Sequence, residues 1–265
     1  MIFEEESYKK LDERDFLWKY LDFHKFIDLT SNKTLHFSRL DQFKDPFEGA
    51  TRKAIYDINI ANTPPTNPAL EDTFGKGFLE NQKSINQKTV SDNKKEIEKS
   101  QKSQFVNCWV KRDRESMAMW DLYSNSDSIA IVIKGLKFIE NLQKSIKIQA
   151  ELLPKNYFNV GSVFYDKINP PDYFDKTDKP NRLNSFKKDI CFSHEEEYRL
   201  VISSPTSMIE NNPKFHKINL YESFFDDITI ICHPKMQDWK FKNIECLCEK
   251  FHIKPPRKSK IELNF

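Results

Sequence analysis

Apolar residues follow two periods along the first forty positions. Residues 13–29 open strand-like at Phe16 and Leu17, then take helical spacing through Tyr20, Leu21, Phe23, Phe26, Ile27 and Leu29. TSNKTLHFS predicts a turn and a short strand, Leu35 to Ser38, with Leu35 and Phe37 on one face. RLDQFKDPFEG predicts a structured loop, because the Asp45–Pro46 step disfavours helix at Asp45 and Gly49 can take positive φ. Residues 62–70 read as loop. Residues 71–104 are polar with isolated anchors (Phe74, Phe78, Leu79, Ile85, Val90, Ile97), which predicts an exposed helical arm, with partial disorder left open.

From Phe105 the blocks shorten. FVNCWV, SIAIVI and the stretch around GSVFYDKI predict strands, SMAMWDLYS a short helix and KGLKFIENLQKSI an amphipathic helix. NPPDYFDKTDKPNR reads as a proline-broken loop, and DICFS with EEEYRLVIS as a strand pair or one bent strand. ITIICHP is a buried strand, MQDWKFKNIECLCEKFHI a helix, and a last strand falls near SKIELNF. Strand blocks interrupted by unequal helices predict one α+β domain over 1–265. Its central sheet is mixed or largely antiparallel, helices flank it, and 71–104 is a polar helical insertion.

Composition narrows the function classes. The 42 basic against 40 acidic residues give a net charge of +2, without the basic excess of a DNA-coating protein, so nucleic acid is possible but not indicated. A mean hydropathy of -0.70 and the lack of any apolar run of membrane-spanning length predict no membrane association. The acidic start MIFEEESYKK is unlike a secretory leader, and a cytoplasmic location is expected. The five cysteines read as buried reduced thiols. The C-x-C of Cys246 and Cys248 lacks the second pair of a zinc site, so no metal is expected. With five unclustered glycines and no G-x-G-x-x-G, P-loop or G-x-S-x-G motif, dinucleotide-fingerprint, P-loop and hydrolase-elbow sites are excluded.

Three segments carry candidate chemistry. In LHFSRLDQFKDPFEG, Asp45 either caps backbone N–H groups or lines a pocket with Glu48. In CWVKRDRESMAMWDLYS, Trp120 and Tyr123 either pack a core helix or offer flat faces and a hydroxyl to a planar ring. In FSHEEEYRLV read as a strand, Glu195 and Glu197 share a face about 7 Å apart, with Glu196 opposite. Such a pair raises at least one pKa unless a cation such as Arg199 compensates, and it can stabilise a cationic, oxocarbenium-like transition state.

Taken in order, these motifs resemble the bacterial family called domain of unknown function 2971, related to abortive-infection proteins of the AbiGi type. The matching elements are Lys19-Tyr20 (with Leu21 where Arg is usual), Phe43-Lys44-Asp45-Pro46-Phe47-Glu48 and Cys108-Trp109-Val110. They continue with Met119-Trp120-Asp121-Leu122-Tyr123, Val163-Phe164-Tyr165, Phe192 to Leu200, and ITIICHPK. A more distant resemblance to ADP-ribosyltransferases implies a three-part site. Lys19 or Tyr20 would hold the adenosine-side ribose, Ser38 or Tyr123 would help clamp nicotinamide, Glu197 would bind the nicotinamide ribose, and Glu195 would address the acceptor. NAD is the substrate this implies, and a cognate toxin, antitoxin or phage component the protein partner. Non-enzymatic protein binding and a carboxylate-based nuclease using Asp45, Glu48, Glu195 and Glu197 remain as alternatives. Lys19, Tyr20, Asp45, Glu48, Trp120, Tyr123, Glu197 and Arg199 are expected around one concave site, and Glu197→Gln is expected to cost little stability.

Overall fold

A computed structural model describes residues 3–5, 11–63, 67, 69–149, 157–167, 184–204 and 213–261. The chain runs β1 (Phe3–Glu5), β2 (Phe16–Leu21), α1 (Phe23–Asn32), β3 (Thr34–Arg39), α2 (Arg52–Ala61), α3 (Ala69–Phe74), α4 (Phe78–Lys102), β4 (Gln104–Lys111), α5 (Met117–Tyr123) and β5 (Ile129–Lys134). It continues α6 (Gly135–Gln149), β6 (Tyr157–Ser162), β7 (Phe164–Asp166), β8 (Lys187–Asp189), β9 (Glu197–Ser203), β10 (Phe215–Asn219), α7 (Ser223–Asp227), β11 (Thr229–Cys232), α8 (Asp238–Lys250) and β12 (Arg257–Lys258).

The strands form an open, mostly antiparallel sheet flanked by helices, as the block pattern predicts. Its order is β1-β6-β9-β4-β2-β5-β11-β12, with β3 joining β4 and β10 joining β3; only β1–β6 and β11–β12 pair in parallel. The segment around GSVFYDKI is two strands rather than one, split at Val163, and β7 pairs with β8 in a separate ribbon. Two expectations need correcting. DICFS is not a strand: Ile190–Glu195 is a 3-10 turn, entered through an Asp189 cap on the Cys191 N–H and left through Glu196 at φ 45. The last strand among the described residues is the two-residue β12, just upstream of SKIELNF, whose last four residues lie outside the described set, as does all of NPPDYFDKTDKPNR.

The sheet forks at β4. One edge of β4 pairs along its length with β9, from Gln104↔Ser203 to Val110↔Glu197. The other edge is divided, with β2 at Leu17↔Lys111 and Trp18↔Val110, and β3 at Ser38↔Val106 and Arg39↔Phe105. Helix α1 forces the division. Asp22 caps its start by accepting from the Lys25 N–H, Lys33 ends it in the left-handed region at φ 50, and the chain returns as β3 one strand-width away.

One sheet face carries Leu17, Phe105, Trp109, Ile131, Tyr198 and Leu200 into the main core, covered by α1, α6, α7 and α8. The other face holds two smaller apolar clusters, Trp18, Val110 and Trp120 under α5, and Leu40, Val106, Phe186 and Val201. Because residues paired across antiparallel strands share a face, the pairs Val110↔Glu197 and Cys108↔Arg199 set Glu197 and Arg199 between those clusters.

The insertion is helical and largely exposed, but its last turn is a core element. Ile97 and Gln101 are buried; the Gln101 side-chain amide donates to the carbonyls of Pro46 and Glu48, both at 3.0 Å, and Ser100 Oγ donates to the Gly49 carbonyl at 2.9 Å. The arm thereby clamps the D-P-F-E-G loop. Hydrogen exchange should divide α4, with rapid exchange before Asp92 and protection of Ile97–Lys102 close to that of β5. Uniform rapid exchange along α4 would mean that the clamp does not hold the loop.

Candidate active site: a buried ion cluster beside a forked-sheet cleft

Three carboxylates and two cations meet on the face of β4 and β9. Arg199, fully buried, donates from Nη1 to Glu48 Oε1 at 2.6 Å and to the Ser185 carbonyl at 2.6 Å, and from Nε to Glu197 Oε2. Lys188, reaching in from β8, donates to Glu195 Oε2 at 2.5 Å and Glu197 Oε1 at 2.8 Å, and stands 3.8 Å from Glu48. The Tyr123 hydroxyl, half exposed at the end of α5, donates to Glu195 Oε1. Glu48, Glu195 and Glu197 are all buried.

Arg199 and Lys188 face three buried carboxylates, which leaves one negative charge that a shared proton would balance. Burial and the neighbouring Glu197 raise the pKa of Glu195. Burial alone would also raise Glu197, but the Arg199 guanidinium, the hydrogen bond with Glu195 and Lys188 overcome it and hold Glu197 well below the ordinary range. Of the two, Glu195 is therefore the carboxyl expected to take a shared proton first as pH falls. Burial and contact with Glu195 push the Tyr123 phenol up, so it stays a donor.

Glu195 and Glu197 converge as expected, although not by strand alternation. Glu195 closes the 3-10 turn, Glu196 takes the left-handed conformation, and Lys188 draws both carboxylates inward. Glu196 turns outward to Arg112 at 2.7 Å. Glu48 joins the cluster, while Asp45 makes no ion pair with it; Asp45 accepts from the Phe47 N–H at 2.9 Å as a turn cap and lines a small cavity together with Glu48 and Lys188. Trp120 is fully buried, edge-on to Tyr20 and His233, and presents no face to solvent. Tyr20 packs there too, its hydroxyl accepting from the Ser116 N–H at 3.3 Å, and burial raises its pKa to about 12. The eight residues expected around one site thus divide. Glu48, Tyr123, Glu197 and Arg199 assemble with Glu195, whereas Trp120 and Asp45 have structural posts.

Lys19 and Ser38 line the fork. Between the parts of β4 held by β2 and β3 opens a cleft of about 600 Å³, bordered also by Tyr20, Asn107 and Cys108. Cys108 connects it to the cluster, because β9 pairs it with Arg199, and burial followed by the charge of Glu197 pushes its thiol up. Lys188 is the residue that sequence reasoning missed. Its strand is too short to show a period, and the signal available was charge, since Glu48, Glu195 and Glu197 outnumber Arg199. Of the cysteines, Cys232 and Cys248 are buried, but Cys191 and Cys246 are exposed. No group of three or more His, Cys, Asp or Glu side chains among the described residues is arranged to hold a metal ion, and no helix among them is long and apolar enough to cross a membrane.

No protein-family model, no curated protein and no solved structure matches this chain, so the family resemblance stands on the quoted motifs alone.

Burial reverses the expectation of a cheap Glu197→Gln change. Removing one partner of a buried pair costs about 3–5 kcal/mol, so Arg199→Met and Glu197→Gln should each lower stability by roughly that much. Glu195→Gln imitates the protonated carboxyl and should stay within about 1 kcal/mol of wild type, as read from urea midpoints. Equal costs at 195 and 197 would refute the shared proton.

The pH profile follows from the two signs. Glu197, depressed in the folded state, contributes stability that is lost as pH falls through its folded value. Glu195, raised, contributes stability present in acid and lost as pH rises through its folded value. Stability should peak on the mildly acidic side, and Glu195→Gln should remove the decline on the alkaline flank.

Proposed function

We propose that the chain transfers ADP-ribose from NAD to an acceptor, in a bacterial defence or toxin–antitoxin role with a protein partner. One observation carries this reading: Cys108, the strand partner of Arg199, lines a cleft of about 600 Å³, so the buried Glu195 and Glu197 carboxylates lie one strand away from a space of nucleotide size. In the reaction, the bond between ribose C1′ and the nicotinamide ring nitrogen breaks and both electrons leave on nicotinamide. An acceptor lone pair captures the ribosyl cation, and the acceptor proton passes to water. The Glu197 carboxylate, kept ionised by Arg199 and Lys188, supplies the fixed negative charge such a cation needs. Glu195 and Tyr123 stand at the outer end of the pair, where an acceptor would approach.

Glu197→Gln removes the charge that the transition state needs, and where it folds it should lower nicotinamide release from NAD by about 100- to 1000-fold. Glu195→Gln leaves the Glu197 charge in place and should keep the melting temperature and most of the activity. Glu196→Gln, on the exposed ion pair with Arg112, should leave both unchanged. Absence of NAD binding by calorimetry, or full activity in Glu197→Gln, would replace this reading with that of a protein-binding module whose ion cluster is structural.

A further inference from the structure

The cleft holds a cation that the ion cluster does not use. Lys19 extends from β2 into the fork, donates to the Cys108 carbonyl at 2.9 Å, and lies 5.5 Å from the centre of the Trp109 ring. Among the described residues it forms no ion pair, although two of its three N–H donors remain. A half-buried ammonium without a counter-ion costs free energy that an anion arriving from solvent would offset. Around it the other two lysines of the cleft lining are already paired, Lys217 with Asp28 at 2.8 and 2.9 Å and Lys25 with Asp22 at 2.9 Å, which leaves Lys19 as the cation of the lining without a carboxylate among the described residues. Asn107 anchors the floor by donating to the His36 carbonyl at 2.6 Å. At the outer rim His36 and Phe215 stack at 4.9 Å, and Phe215 is 48% exposed, which leaves an aromatic face open beside the basic floor.

We infer that the fork is a binding site for a nucleoside phosphate, with the phosphate on Lys19 and the base against Phe215. Phosphate needs concentrated positive charge with N–H donors, and a purine or pyrimidine needs a flat apolar face. The fork offers both within one cleft, and it offers them because β4 lacks a partner strand between Trp18↔Val110 and Ser38↔Val106. Asn107, Cys108 and Trp109 thus border an opening that a continuous ladder would have closed. The inference rests on Lys19 and the cleft and does not require the transfer chemistry proposed above.

Isothermal titration of the full chain with inorganic pyrophosphate, ADP and NAD tests it. Wild type should bind pyrophosphate, and ADP at least tenfold more tightly. Lys19→Met should weaken both by tenfold or more, while Phe215→Ala should remove only the advantage of ADP over pyrophosphate. Lysine Nζ resonances give a readout on the unmodified protein, in which the Lys19 signal should shift on adding pyrophosphate. No heat with either phosphate at millimolar concentration, an unmoved Lys19 signal, or undiminished binding by Lys19→Met would overturn the inference. ADP binding without NAD turnover would leave this site standing and remove the transfer reading. NAD turnover undiminished in Lys19→Met would do the reverse.

Discussion

Arg199 must stay charged inside the protein, and much of the architecture on one side of the sheet answers that requirement. A guanidinium with no solvent exposure needs carboxylates at hydrogen-bonding distance, and they come from distant parts of the chain: Glu48 from the loop after β3, Glu197 from its own strand. Bringing Glu48 inward fixes the D-P-F-E-G loop. That loop is in turn held by Gln101 and Ser100 from the last turn of α4. Lys188 and a proton taken up by Glu195 would complete the charge balance. The inserted helix, the loop, the β8 ribbon and Tyr123 are consequently joined by hydrogen bonds and ion pairs, with Phe47, Ala50 and Ile97 packing in one apolar cluster beside them.

The fork in the sheet gives this cluster a use. A continuous ladder at β4 would have sealed Cys108 and Lys19 against a neighbouring strand. Division of that edge between β2 and β3 instead opens a cleft whose floor is one strand-width from Arg199 and Glu197. The charge of Glu197 and the floor of the cleft are therefore carried by neighbouring, hydrogen-bonded strands of one rigid sheet. Such rigidity is what electrostatic stabilisation of a developing charge requires, since the groups need no rearrangement during the reaction.

Much of this was legible from residue order. The apolar runs in SIAIVI and LVI mark central strands, and the passage from FLWKYL to HKFIDL marks a strand leading into a helix. The convergence of Glu48, Glu195, Glu197 and Arg199 was legible as charge that needs partners. The route taken by Glu195 was not, because a left-handed residue such as Glu196 has no strong signature when it is neither Gly nor Asn. Trp120 reads equally well as a ligand platform or as core, and only the packing of Tyr20 and His233 decides for core. Lys188 and the fork were invisible for a common reason: a three-residue strand and a divided strand edge are set by tertiary pairing, which leaves no period in the chain.

The shared proton is the central claim, and carboxyl carbon resonances of the two glutamates, followed through a pH titration of the wild-type protein, test it most directly. The expected result is that Glu197 stays ionised well into acid while Glu195 remains protonated above the ordinary glutamate value of about 4.3. Two independent titrations close to that value would contradict it, since the buried carboxylates would then need a counter-charge other than Arg199, Lys188 and one proton.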